Sequence, residues 1–399
     1  MKRILLLGGS AYILPVIEAI HNLGYYAITC DYLPNNIAHK FSDEYHNVSI
    51  IDKEAVLKLA LDLKVNGIMS FACDPGVETA AYVSEQLGLP TNPYKSVEIL
   101  QNKAKFREFL ANNGFNVPKA KGYTSWRSAL DEADEYTWPV IVKPTDSAGS
   151  KGVTKIHNSS QIKQAAEYAI NFSKSKSFIV EEFIEKEGHS SDTDCFSING
   201  ELVFCSFSDQ RFDENAANPY TPSAYSWPST MPLESQRELR KELQRLFRLL
   251  DIKTSIFNIE TRLSTNGKTY IMEVSPRGGG NRLSEVLRWA SNTDLITNAV
   301  RASVGDEIVG ITADPVYNGY WAEVILHSEE DGVFDEIQIK PELKKHVKEE
   351  QIWVSKGDMV HKFTGANFAI GTLLLRFDEQ KELTTYLEKI NEFIKVIVR

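Results

Sequence analysis

Over the first hundred residues, short apolar runs alternate with stretches of helical spacing. That alternation restricts the fold more than any other feature of the chain. Ile4 to Leu7 reads as a buried strand and ends at the turn Gly8-Gly9-Ser10. Leu14 to Leu23 has apolar residues at helical intervals. Its Pro15 lies in the first turn, where a missing N–H is tolerated, and Gly24 closes it. Ala27 to Tyr32 and Gly67 to Phe71 read as further strands. Val56 to Leu63 and Val77 to Leu87 read as helices, the last closed by Gly88. Strand–helix–strand units of this size join parallel strands through right-handed crossovers. Residues 1–100 are therefore expected to form a Rossmann-like α/β layer. A glycine turn after the first strand, with Asp31 after the second, is part of a dinucleotide fingerprint. The remaining glycines are missing between Ser10 and Leu14, which disfavours a nicotinamide cofactor. The turn is either a tight bend or a place where a helix N-terminus meets an anionic substrate.

Asn102 to Asn113 reads as a helix ending at Gly114, and Gln161 to Phe172 as another. Between them, Pro139-Val140-Ile141-Val142-Lys143-Pro144 is an apolar strand that delivers a lysine to the small-residue run Thr145 to Gly152. Ser177 to Phe183 is a strand running into two acids. Asn199-Gly200 and Asn266-Gly267 each sit between strand-like runs and predict hairpins. Leu239 to Leu249 reads as a helix, and Asn218 to Pro232 as an irregular loop rich in Pro, Ser and Tyr. From about residue 315, strands are expected near 321–326, 337–339, 352–354 and 372–376, with a closing helix over 384–396.

Bulk properties remove several function classes. The net charge of −10 is a poor basis for nucleic-acid binding. No apolar stretch approaches the ~18 residues of a membrane span. The opening apolar run is too short for a signal-peptide core. The four cysteines form neither a C-x-x-C pair nor a zinc spacing, as expected of buried thiols in a reducing compartment. A cytoplasmic protein without membrane or nucleic-acid partners is the expectation.

Three groups of residues could carry chemistry. Lys143 offers a compact charge for phosphate oxygens, and Gly149-Ser150-Lys151-Gly152 lets backbone N–H groups approach an anion, although a solvent-exposed turn would look the same. Glu260 and Glu273 lie on the two arms of a hairpin, where pairing can set their carboxylates side by side. Two adjacent carboxylates suit Mg²⁺, which takes one or two of them and fills its shell with phosphate oxygens and water. Two solvated glutamates would give the same pattern. Arg277 follows four residues after Glu273 and suits bidentate recognition of carboxylate or phosphate. Glu181-Glu182-Phe183-Ile184 either ends a surface strand or offers extended backbone to an adenine edge.

In order along the chain, Lys103 at a helix start, Lys143 with its loop, Val180-Glu181-Glu182-Phe183-Ile184, Phe257-Asn258-Ile259-Glu260 and Ile271-Met272-Glu273-Val274-Ser275-Pro276-Arg277 resemble the ATP-grasp superfamily. The likeness is to the branch holding biotin carboxylase, carbamoyl phosphate synthetase, purine-pathway ligases and L-amino acid ligases, and it covers nearly the whole chain. It implies an α/β fold with α+β parts: a Rossmann-like domain (1–100), an ATP-grasp domain (101–310, lid about 122–190) and a β-rich C-terminal part (311–399). It implies ATP and Mg²⁺, with Mn²⁺ as a substitute, and small-molecule carboxylate and amine substrates joined through an acyl-phosphate. Many relatives are homodimers.

By the same resemblance, Lys103, Lys143 and Gly149 to Gly152 grip the ATP phosphates and Glu181 to Ile184 hold adenine. Glu187 or Asp192 holds the ribose. Glu260, Glu273 and Ser275 hold metal, Ser275 standing where the family often has Asn. Arg277 steadies the substrate carboxylate. The acceptor pocket is expected around Gly9, Ser10, Asp74, Arg211, Gly279, Gly280 and Arg282. A thiol acceptor, a phosphotransferase that stops at the phosphorylated product, and a non-catalytic nucleotide-binding protein are alternatives.

Overall fold

A computed structural model describes residues 1–311 and 315–399. The expected parallel layer is present. Its strand order is Glu44–His46, Tyr26–Cys30, Arg3–Leu7, Gly67–Met69, all parallel. Side chains alternate across a strand, and here both faces are apolar. Ile4 and Leu6 enter one core with the Leu14–Asn22 helix, while Leu5 and Leu7 enter another with the Lys53–Leu63 helix. The turn after Gly67–Met69 leads into the Asp74–Gln86 helix, so Asp74 stands at a helix start, above the C-terminal edge of the sheet.

Residues 120–182 form a four-stranded sheet in the order Ala120–Tyr123, Phe178–Glu182, Val140–Pro144, Thr154–Ile156. The Trp126–Asp131 and Ile162–Asn171 helices share its apolar core. A second antiparallel sheet, Glu201–Cys205, Ser191–Ile198, Ser255–Leu263, Thr269–Ser275, contains both predicted hairpins. The Leu233–Leu249 helix packs behind it through Leu239, Leu243, Leu246 and Phe247, spaced to lie on one face.

Several stretches differ from the sequence reading; the strand expected at 352–354, for one, is Val347–Ile352. Pro222–Trp227, expected within an irregular loop, is a strand with Ala224, Tyr225 and Trp227 buried. Interleaved serines masked its apolar pattern, and proline is tolerated as the first strand residue. It pairs with Tyr320–Leu326 inside a five-stranded sheet ordered Asp209–Phe212, Pro222–Trp227, Tyr320–Leu326, Gly371–Phe377, Val347–Ile352. The β-rich part expected from residue 311 thus shares its main sheet with earlier strands, and residues 312–314 lie outside the described ones. The closing helix ends early: Gln380–Glu388 is helical, but the β-branched run Ile394–Val398 is a strand pairing with Gly332–Ile339. Two helices that the sequence reading passed over, Leu283–Ser291 and Leu295–Ser303, follow the glycine run; Asp294 caps the second by accepting the Thr297 N–H. Among the described residues, no helix is long and apolar enough to cross a membrane.

The Leu295–Ser303 helix meets the parallel sheet at Gly67, where a Cβ would stand 2.5 Å from the Ser303 carbonyl oxygen. That neighbour is backbone and cannot turn aside. Gly67→Ala is expected to lower unfolding free energy by about 1–3 kcal/mol in urea titrations. Stability within about 0.5 kcal/mol of wild type, the usual range for a surface change, would show that the contact gives way.

Candidate active site

A cavity of about 360 Å³ lies where the sheet of residues 120–182, the second antiparallel sheet and the parallel layer meet. Its floor is set by strand register. Asp192 pairs with Glu260, and Glu260 with Glu273, so three neighbouring strands place three carboxylates in a row. All three line the cavity. Burial and the nearby Glu260 charge push Asp192 up to about 7. Burial, then repulsion from Glu273, raises Glu260 despite Arg262 at 3.6 Å. Asn258 Nδ2 donates to Asp192 Oδ1 (2.8 Å) and to Asp194 Oδ1 (3.3 Å).

Cations face this floor. Lys103, the first residue of the Lys103–Asn112 helix, is 3.3 Å from Glu273 and donates to the Ser147 carbonyl at 2.9 Å. Lys143 Nζ donates to Glu181 Oε1 at 2.8 Å, and Arg107 Nε donates to the other oxygen, Oε2, at 2.5 Å. Arg107 NH1 also donates to the Met272 carbonyl at 2.8 Å. Arg107 and Glu181 are almost wholly buried, at 2% and 3% exposure. Burial would raise the Glu181 acid, but Arg107 and Lys143 outweigh it and hold it down at about 2. Burial also lowers Lys143, against the pull of Glu181. Arg107 was not singled out from sequence, since nothing in a helix pattern marks one arginine as buried.

The stretch expected to meet adenine divides its work. The Glu181 side chain carries the ion pair, and Glu182 Oε1 accepts the Thr137 N–H at 2.8 Å. The Glu182 and Phe183 N–H groups donate to the Lys119 and Pro139 carbonyls. Among the described residues no protein acceptor takes the Ile184 N–H, and Phe183 and Ile184 both line the cavity. Lys155 lies over the Phe183 ring, 3.6 Å from its centroid. Gly149, Ser150 and Lys151 line the cavity; Gly152 sits just behind, at φ +72. Ser150 Oγ donates to the Tyr220 carbonyl at 2.9 Å, tying the loop to residues 218–220.

Arg277 and Asp74 meet across one wall. Arg277 Nε and NH2 donate to the two Asp74 oxygens at 3.0 and 2.8 Å. Burial raises Asp74, but the Arg277 charge and hydrogen bonds more than offset it and hold Asp74 below its ordinary value. Gly280 lines the cavity; Gly279 lies behind it, its N–H donating to Asp194 Oδ1 at 2.8 Å.

Several expected residues stand elsewhere. The buried Ser275 hydroxyl accepts from Gln101 and donates to Asp74 (2.9 Å each), so it does not join the carboxylate row; Asn258 is the polar neighbour there. Arg211 lies on Asp209–Phe212, where alternation turns Gln210 and Phe212 to the cavity and Arg211 away, onto Ser226 Oγ at 2.6 Å. Asn281 and Arg282 take left-handed backbone (φ +51 and +58), which swings Arg282 out of the cavity onto Glu285 and Glu349 at 3.0 and 2.8 Å. Gly9 and Ser10 do not line the cavity. Gly9 packs on His39 and Asn36, and the residue that the turn does contribute is Tyr12. Glu187 is exposed and outside the cavity, whereas Asp192 is inside.

Residues 136–285 match the ATP-grasp domain family. The formate-dependent phosphoribosylglycinamide formyltransferase of Prochlorococcus marinus (strain NATL2A) is 29% identical over 212 residues, 51% of this chain and 53% of that one. The chain thus spans about half the length of that relative. The crystal structure of an L-amino acid ligase from Bacillus licheniformis superposes with a TM-score of 0.83 at 18% identity, covering 100% of this chain and 99% of that one. The biotin carboxylase domain dimer of the 2-oxoglutarate carboxylase from Hydrogenobacter thermophilus, in complex with MgADP and bicarbonate, gives 0.74 at 17% identity, covering 100% and 91%.

The Glu181 pair makes two linked predictions. Arg107→Met leaves a buried carboxylate with one cation and is expected to cost about 3–5 kcal/mol in denaturant titrations. Because Glu181 is depressed to about 2, its contribution is complete above roughly pH 5, past the unfolded value of about 4.3, and is lost as pH falls toward 2. The wild type should therefore lose more stability between pH 5 and pH 2.5 than Arg107→Met does. Equal slopes would mean that Glu181 is not the titrating group.

Proposed function

We propose that the chain is an ATP- and Mg²⁺-dependent carboxylate–amine ligase that works through an acyl-phosphate and releases ADP and phosphate. One observation carries the reading: cross-strand Glu260 and Glu273 share a cavity with Lys103, Lys143 and the Arg277–Asp74 fork. Such a cavity suits a polyphosphate at one end and a carboxylate at the other.

The carboxylate row fits a hard divalent cation. Glu260 and Glu273 repel each other, and a cation between them relieves this. Among the described residues no group of three or more His, Cys, Asp or Glu side chains could hold a metal by itself. Mg²⁺ needs only one or two protein carboxylates and completes its shell with phosphate oxygens and water. Magnesium bound there supplies positive charge to the β- and γ-phosphates.

The chain's own groups do the rest. Lys103, Lys143 and the 149–152 loop hold phosphate oxygens, and the Ile184 N–H donates to the adenine edge. Arg277 shares its fork between Asp74 and the substrate carboxylate. That carboxylate attacks the γ-phosphorus; a P–O bond forms, the bond to the β-phosphate oxygen breaks, and ADP leaves. The amine then attacks the acyl carbon, loses a proton, and phosphate departs. Positioning and fixed charge supply the rate enhancement.

Phosphorus NMR of the protein with Mg-ATP, pooled carboxylates and pooled amines should show ADP and phosphate only when both pools are present. AMP with pyrophosphate would replace this mechanism by adenylation. Glu273→Ala should reduce turnover by at least about 100-fold while leaving the unfolding midpoint close to wild type. Near-normal turnover would remove Glu273 from the metal site.

A further inference from the structure

Glu323 is a buried ionisable group that the mechanism above leaves unused. It sits on the central strand Tyr320–Leu326 of the five-stranded sheet with 0% exposure. Neither of its carboxylate oxygens has a hydrogen-bond partner among the described residues. A buried polar group without a partner costs about 1–3 kcal/mol, and more when charged, so an unpartnered acid in a well-packed core calls for a reason.

Its placement supplies one. Trp321 and Ile325, on either side of it along the strand, belong to the core that holds Tyr225 and Trp227, whereas Ala322 and Val324 face the opposite core. Strand alternation therefore turns Glu323 to the face shared with Tyr225, its cross-strand partner. Tyr225 and Tyr12 both line the cavity. Burial and the Glu323 charge together raise the Tyr12 phenol, so the acid lies within electrostatic reach of the cavity wall. That wall is a hydrogen-bonded row: Tyr12 donates to Asn281 Oδ1 (3.2 Å), Asn281 Nδ2 donates to the Tyr225 hydroxyl (3.3 Å), and Tyr225 donates to Asp192 Oδ2 (3.1 Å). Arg282 is the nearby cation, but it is spent on Glu285 and Glu349.

We propose that Glu323 is a substrate-binding residue that receives the ammonium group of an amino-acid substrate entering past Tyr12 and Tyr225, while Arg277 holds that substrate's carboxylate. The inference rests on the ligase reading above and narrows its substrate class. An ammonium group brings up to three N–H donors and a positive charge to an acid that has neither. A carboxylic acid lacking the amine leaves Glu323 as it stands, so the pocket discriminates by what it would leave unpaired.

The test supplies Mg-ATP and hydroxylamine, which traps acyl-phosphates as hydroxamates without a second substrate. Aliphatic and aromatic L-amino acids are compared with their matched des-amino acids. Wild type is expected to favour the amino acids by at least about tenfold in kcat/KM. Glu323→Gln and Glu323→Leu should level the two sets by raising KM for amino acids about 10- to 100-fold, with kcat for the amino acids and Kd for Mg-ATP little changed. Neither variant should lower Tm, since each removes a buried acid without a partner. Wild type accepting both sets equally, or favouring the des-amino set, overturns the proposal and leaves the ligase reading intact. Variants that keep the discrimination, whether or not Tm rises, also overturn it. No ATP consumption with either set overturns this inference, and the pooled carboxylates and amines above then decide the ligase reading.

Discussion

One buried carboxylate organises the cleft. Glu181 holds Arg107 on one oxygen and Lys143 on the other, and Arg107 reaches on to the Met272 carbonyl. A helix, two strands of the small sheet and a strand of the second antiparallel sheet are thereby fixed to one point. Charges taken out of water are costly unless paired and hydrogen-bonded. The arrangement therefore tolerates little displacement of any member. Lys143 inherits its position from this constraint: the strand delivers it, and Glu181 aims it.

The rest of the cleft is a balance of fixed charges. Asp192, Glu260 and Glu273 stand in a row because antiparallel register leaves them no other place. Lys103, Arg262 and Arg277 offset them only in part, and burial lifts both Asp192 and Glu260 above their ordinary values. A site with negative charge on one side and lysines and a small-residue loop on the other is arranged for a ligand that brings both a cation and anionic oxygens.

What the sequence made legible was whatever a single strand or hairpin decides. Lys143 follows from an apolar run ending in lysine, and the pairing of Glu260 with Glu273 follows from the Asn266-Gly267 turn between them. The second half of the hairpin motif also carried Arg277 to the wall where Asp74 waits. Residues whose direction depends on tertiary packing were illegible. Arg211 and Arg282 have the right chemistry, yet one is turned away by strand alternation and the other by two successive left-handed residues. Tyr12 and Arg107 carry no local signal; each matters only because distant segments meet there. The strand at 222–227 was hidden for a related reason, since one of its two partners lies almost a hundred residues further on.

The small-residue loop is fastened in an unusual way. Ser150 donates to the Tyr220 carbonyl, and Asn218 Nδ2 donates to the carbonyls of Ser150 and Thr364. The latch therefore joins three segments far apart along the chain through hydrogen bonds, each worth about 0.5–1.5 kcal/mol. Releasing such a latch takes far less free energy than opening either sheet. The loop can therefore part from residues 218–220 and 364 at small cost while the sheets beside it keep their strand pairing.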